Sequence, residues 1–225
     1  MCRNAWRSRP VLTRERTTAG LLREYQSFAD LLATLDTSMW TCASRCTGWQ
    51  VRDVAAHVVG QALDTVTGAS GTRNADEQAA SLRAQPPTGL AAQMRKIAEA
   101  MAELVAAFDD HIWARPSPLP RFTIGEAIHA LLMDAYVHAD DIRNAIKAPS
   151  DLGEGLYDSL DFVLGALRRD PIAAADSGLV RLLALPAAAF TTESGIDAHE
   201  FLLAATGRHD PRTLGLRETV NIFRV

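Results

Sequence analysis

Cysteine, lysine and long apolar runs are all scarce in this sequence, and each scarcity excludes something. The three cysteines, Cys2, Cys42 and Cys46, are too few and too unevenly placed for the disulfide framework of a small secreted domain. Cys42 and Cys46 could meet only on one helical turn, and Gly48 and the polar residues around them read as a loop. They are therefore expected to be free thiols in a cytoplasmic protein. No apolar run approaches the roughly 18 residues that a membrane-spanning helix needs. Arg3, Arg7, Arg9, Arg14 and Arg16 crowd the start of the chain against Glu15 alone, and no apolar stretch follows as a secretory leader would require. Residues 1–15 are expected to be a disordered tail or an over-extended start, a membrane or nucleic-acid arm being the alternative reading. A glycine-rich phosphate loop is missing, and so is the G-x-S-x-G turn of a serine hydrolase. Of 23 basic residues only Lys96 and Lys147 are lysine, a usage common in GC-rich coding sequence.

What remains is an ordinary globular composition. The 225 residues, 48% hydrophobic and 22% charged, suffice for one good-sized core with a small appended unit. A net charge of −4 offers no broad basic surface to a nucleic acid. The dominant period is helical. Leu21, Leu22, Tyr25, Phe28, Leu31, Leu32 and Leu35 form one stripe over residues 16–35. Further helices are expected over 49–67, started by Thr47 and Gly48, over 89–108 and over 124–147, the last stopping before Pro149. Residues 36–48 read as a loop, residues 68–88 as a polar connection, and Pro116, Pro118 and Pro120 as a stiff crossover. Four such stripes bury one another most simply in a four-helix bundle over 16–150. Residues 151–225 are expected to form a small C-terminal α/β appendage. It would hold helices over 155–167 and 197–206, a short apolar run over 180–190 broken by Pro186, and a turn at 191–195.

The fourth helix carries the informative polar residues. Its apolar stripe skips one place between Ala135 and Ile142, and His138 fills the gap. Asp134 lies one turn before it and Asp141 three residues after, on neighbouring parts of one face. A carboxylate and an imidazole at i and i+4 can share one divalent ion. The alternative is a buried histidine satisfied by Asp134 or Asp141 without any metal. His57, on the border of the second helix's stripe, could enter the same interior, and inward histidines and acids on facing helices are how bundles build metal sites. Glu126 and His129 point elsewhere and read as surface or supporting residues. His111, His199 and His209 have no evident partner.

Two stretches carry a resemblance. Cys46-Thr47-Gly48-Trp49-Gln50-Val51-Arg52-Asp53-Val54-Ala55-Ala56-His57 is similar to a C-x-G-W-x-V-x-D-hydrophobic-x-x-H signature, and Asp134-Ala135-Tyr136-Val137-His138-Ala139-Asp140-Asp141-Ile142 to E-x-x-x-H-x-x-D-hydrophobic. The Gly207-Arg208 segment and the ending Val220-Asn221-Ile222-Phe223-Arg224 resemble the same family's C-terminal part. Together they resemble the mycothiol-dependent maleylpyruvate isomerase family, within the DinB-like metal-binding bundles. The resemblance implies a mainly α, DinB-like up-down four-helix bundle whose metal ligands are His57, Asp134 and His138, with zinc as the expected ion. The family's usual metal carboxylate is Glu, so the shorter Asp134 implies a helix shift or a bridging water. Asp141 is implied to orient His138 from behind. Arg208 would hold a substrate carboxylate or cap its helix, two readings the sequence leaves equal.

Three ligands leave an open position on a tetrahedral ion, the arrangement of catalytic sites. The resemblance implies that mycothiol fills it, giving a thiol transferase or cis–trans isomerase acting on a small electrophile. The alternatives are a metal-dependent hydrolase, which would need Asp141 as base, and a non-catalytic metal-binding or regulatory module. No nucleic-acid or membrane partner is expected, and close packing of Ala-rich helices suits a homodimer.

Overall fold

The computed structural model describes residues 13–119 and 121–224. Cys2, Arg3, Arg7, Arg9 and Pro120, on which some of the expectations above rest, lie outside them. The helices are α1 (Arg14–Ala33), α2 (Thr37–Trp40), α3 (Val51–Val66), α4 (Ala75–Leu82), α5 (Pro87–Ala106), α6 (Asp110–Trp113), α7 (Ile124–Ala145), α8 (Glu154–Arg169), α9 (Pro171–Ala175), α10 (Ser177–Leu183), α11 (Phe190–Ser194) and α12 (Ala198–Ala205). None is long and apolar enough to cross a membrane. Among the described residues there is no strand, only isolated antiparallel bridges between Ala43 and Gln50 and between Pro116 and Thr123.

The four long amphipathic helices expected from the periodicity are α1, α3, α5 and α7, and they bury their stripes against one another in a mainly α bundle. The packing runs α1–α5, α5–α3, α3–α7 and α7–α1, so α1 and α3 lie across the bundle from each other and α3 borders α7. Local chemistry sets the helix starts. Thr13 Oγ1 accepts from Arg16 N at 3.3 Å, so α1 already begins at Arg14, and Arg14 and Glu15 belong to its first turn rather than to a tail. Val51, rather than Thr47 or Gly48, opens α3, because Gly48 sits at φ 82° in a turn and the Asp53 carboxylate accepts from Gln50 N at 3.0 Å. Thr123 and Glu126 form a capping box at the start of α7.

Helix α7 differs from the single-stripe picture. Ile128, Leu132, Ala135 and Ile142 face the bundle, while Met133, Tyr136 and Val137 face a second apolar cluster built by residues of α8 to α12. A helix apolar nearly all round is buried nearly all round. His129, which the sequence reads as a surface or supporting residue, is buried in this second interface with Nε2 2.8 Å from the Asp158 carbonyl, and burial lowers its pKa. The C-terminal region is therefore helical and not α/β. The run over 180–190 reads as strand-like, yet Leu179, Leu182 and Leu183 are buried at helical spacing on α10, and Pro186 merely ends that turn. The supposed turn at 191–195 is mostly α11, closed by Gly195 at φ 76°. The polar connection likewise contains α4, packed on α3.

Gly155 lets the start of α8 approach the bundle. A methyl group there would lie 2.8 Å from Tyr136 Cδ2 and would clash with the Glu24 carboxyl. Glu24 is itself buried, and burial pushes its pKa up to about 7 against the pull of Arg23. The folded protein thus holds a proton that the unfolded chain releases near its ordinary value, so this group's contribution to stability falls as pH rises from about 4.5 to 7. Glu24→Gln is expected to remove that part of the decline and to stabilise the protein at pH 8 by about 1–3 kcal/mol. Urea midpoints measured across the interval check this, and parallel profiles for the two proteins would contradict it.

Candidate metal centre

His57 on α3 and Asp134 and His138 on α7 meet where the two helices border each other. His57 Nε2 lies 3.6 Å from Asp134 Oδ2, and His138 Nε2 lies 3.5 Å from Asp134 Oδ1. The two imidazole rings are edge to face with centroids 5.1 Å apart. Both separations exceed an ordinary hydrogen bond. They are close to the roughly 3.3 Å between donor atoms that bonds of about 2.0–2.1 Å give around a tetrahedral ion. Asp134 Oδ2 is buried and has no hydrogen-bond partner among the described residues, which leaves a lone pair aimed at this point. One atom from each residue can therefore be chosen so that all lie within 4.8 Å of one another, a set able to hold a metal ion. Each carboxylate oxygen of Asp134 faces one of the two histidines. Burial works against ionising Asp134, but the adjacent histidines and Arg208 outweigh it and hold its pKa below the usual carboxylate value.

Behind His138 stands Asp141, fully buried. Its Oδ2 lies 2.9 Å from His138 Nδ1. Arg208 Nη2 donates to the same oxygen at 2.9 Å, and Arg45 Nε donates to Oδ1 at 3.1 Å. Cys46 Sγ donates to Oδ2 at 3.2 Å. Burial opposes the charge, but His138 and Arg208 overcome it and hold Asp141 well below the carboxylate range. An ionised carboxylate only accepts, so Asp141 is matched by a proton on His138 Nδ1, and a ring carrying its single proton there offers the Nε2 lone pair on the Asp134 side. The lone pairs of Asp141 are taken up by four partners, which leaves it no capacity as a free base.

Several residues of this centre escaped the sequence reading. Cys46 is the free thiol expected, but its place at the centre is new: burial and the Asp141 charge push its pKa up to about 12, so it stays protonated and donates. Arg45 also donates to Asp140 Oδ2 at 2.6 Å, and His199 Nε2 lies 3.2 Å from that oxygen, so His199 has the partner it was thought to lack. The Asp140 pair raises the His199 pKa. Trp49 Nε1 donates to Asp76 at 2.9 Å, and its ring lies 5.3 Å from His57 and 6.5 Å from His138, forming a wall beside both. Arg208 Nη1 donates to the Thr206 carbonyl at 2.7 Å at the end of α12, as the helix-cap reading expects, while Nε and Nη2 donate to Asp141, a partner neither reading named. His111 is on the short helix α6, and His209 lies 3.6 Å from Glu200; neither is in a group able to hold a metal ion among the described residues.

A bundle that gathers two imidazoles and a carboxylate at one interior point has the architecture of the metal-binding helical bundles. The chain belongs to the mycothiol maleylpyruvate isomerase family: the sequence model of the mycothiol maleylpyruvate isomerase N-terminal domain matches residues 21–143. That span includes His57, Asp134, His138 and Asp141 and excludes Arg208. No curated protein and no solved structure matches the chain.

The Asp141 cluster yields a stability prediction. Asp141→Asn keeps the shape, removes the charge that holds Arg45 and Arg208, and is expected to cost about 3–5 kcal/mol at pH 7. Because the native pKa of Asp141 is depressed, its contribution is present above the ordinary carboxylate pKa and is lost as pH falls below it. Urea unfolding at pH 7 and at about pH 2.5, below the ordinary carboxylate pKa, should show a difference between the two proteins that shrinks in acid; an equal difference at both would refute the assignment.

Proposed function

We propose that His57, Asp134 and His138 hold one divalent ion, zinc by the chemistry of the donors, and that the protein is a metal- and mycothiol-dependent thiol transferase or cis–trans isomerase of the cytoplasm. The reading is carried by one observation: two histidine Nε2 atoms converge on a carboxylate that has an unpartnered buried oxygen. When bound, the ion and the thiol would supply a metal-activated sulfur nucleophile for a small electrophile.

The chain's own residues do the rest. Asp141 keeps the His138 proton on Nδ1 and so keeps Nε2 available, a role that costs about 10–100-fold in affinity or activity when such partners are lost. Arg45 and Arg208 hold Asp141 ionised and in place; in this reading Arg208 positions that carboxylate, with Nε and Nη2 committed to it and Nη1 donating to the Thr206 carbonyl. Trp49 limits the water that reaches the two imidazoles. Cys46, protonated and turned to Asp141, does not compete with an incoming thiol. The hydrolase reading is weaker, since Asp141 is saturated with donors and no other free base adjoins the three ligands among the described residues.

Metal content of protein purified without chelator provides the test. About one zinc per chain is expected in the wild type, with His57→Ala and His138→Ala both losing it. The loaded wild type should then consume mycothiol, or return it after isomerisation, in the presence of an activated alkene, and both variants should be inert. No metal in the native protein and none taken up from added zinc would overturn the proposal and leave a binding module.

A further inference from the structure

A cavity of about 380 Å³ opens between α3, the end of α5 and the first half of α7, and His57 forms part of its wall. On α3 its lining follows one face, from His57 through Gln61 to Thr65, one turn at a time. On α7 the lining ends at Leu131, one turn before Asp134. The space therefore leads to the candidate metal centre. Its walls are mostly apolar, with Leu104, Phe108, Leu119, Ile128 and Leu131 supplying most of the bulk. A volume of this size suits a small organic molecule.

The charges on the lining are already spent. Apart from His57, the ionisable residues there are Asp64 and Arg73. Arg73 grips Asp64, with Nε 3.1 Å from each carboxylate oxygen and Nη2 on Oδ1, while Nη1 donates to Ser81 at 2.9 Å. Gln78 donates to the same carboxylate at 2.9 Å. In the metal-free protein an anionic ligand would meet no unpaired arginine or lysine in this cavity, and burying its charge against apolar walls would cost several kcal/mol. A neutral ligand faces no such penalty. Gln61, one turn beyond His57, lines the space; its backbone carbonyl accepts from Thr65 Oγ1 at 3.0 Å, but its side-chain amide has no hydrogen-bond partner among the described residues, so the amide can donate to a ligand oxygen.

We propose that this cavity binds a neutral, largely apolar ester or ketone, whose carbonyl is held by Gln61 and whose body fills the space between Leu104, Phe108, Ile128 and Leu131. This names the class of the electrophile in the reading above and rests on that reading only for the word electrophile. A carboxylate-bearing substrate is the class that the cavity disfavours.

The test uses chelator-treated, metal-free protein, so that its failure is separate from failure of the metal reading. The neutral fluorophore N-phenyl-1-naphthylamine reports occupancy by its emission. It should bind saturably, and ethyl cinnamate should displace it at least about tenfold more effectively than the cinnamate anion at pH 8. Ala127→Trp, which fills the cavity from α7, should weaken binding of the fluorophore by about tenfold or more; Leu119→Trp does the same from the opposite wall should the first variant not fold. Gln61→Leu should lower affinity for the ester and leave affinity for propylbenzene unchanged. Equal displacement by ester and anion, or wild-type binding in both tryptophan variants, would overturn the proposal. So would an ester affinity indifferent to Gln61. Binding that meets these expectations in a protein that never takes up metal would sustain the ligand class and sink the catalytic reading.

Discussion

An ionised carboxylate with no exposure to water is tolerable only where donors replace its hydration, and Asp141 is such a group. Its donors come from far apart in the chain: Arg45 and Cys46 precede α3, His138 lies a turn away on α7, and Arg208 follows α12. Satisfying this one charge therefore fixes three things together. The loop before α3 is drawn onto α7, the C-terminal helices are tied to the bundle, and His138 receives a defined tautomer. Asp140, next in the chain, repeats the arrangement with Arg45 and His199. Adjacent buried acids would be costly alone; here two arginines and a histidine offset them.

The same frame explains why the cavity beside His57 is so different from the region behind His138. Polar groups are concentrated and mutually paired on the Asp141 side, where they orient a ligand histidine. On the other side, α7 presents apolar residues, while α3 presents His57, Gln61, Thr65 and an Asp64 already paired with Arg73. The candidate centre thus sits at a boundary between a saturated charge network and a nearly neutral space. An ion held at that boundary would be fixed from behind and open from the front, the geometry of a catalytic rather than a closed site.

Much of this was legible from residue spacing. The 3.6-residue period located α1, α3, α5 and α7, and the gap at His138 in the α7 stripe, with Asp134 and Asp141 one turn to either side, pointed to the candidate centre. The Cys-x-Gly-Trp run now has a physical account: Cys46 donates to Asp141, Gly48 takes a left-handed turn, and Trp49 walls the histidines. What spacing could not convey was long-range pairing. Arg45, Asp140 and His199 look like ordinary surface residues until packing joins them. The second buried face of α7 was hidden because its partners begin only at residue 154. The short helices α4, α10 and α11 were missed because a few turns carry too little period to outweigh proline and polar neighbours.

The central claim is that Asp141 dictates which nitrogen of His138 is free. Long-range ¹H–¹⁵N correlation spectra of histidine-labelled, metal-free protein at pH 8 read the protonation of each ring nitrogen directly. A His138 ring protonated on Nδ1 and bare on Nε2 in the wild type, with that preference lost in Asp141→Asn, is the expected result. A proton resident on Nε2 in the wild type would contradict the account, because the lone pair needed at the candidate metal centre would then point away from Asp134.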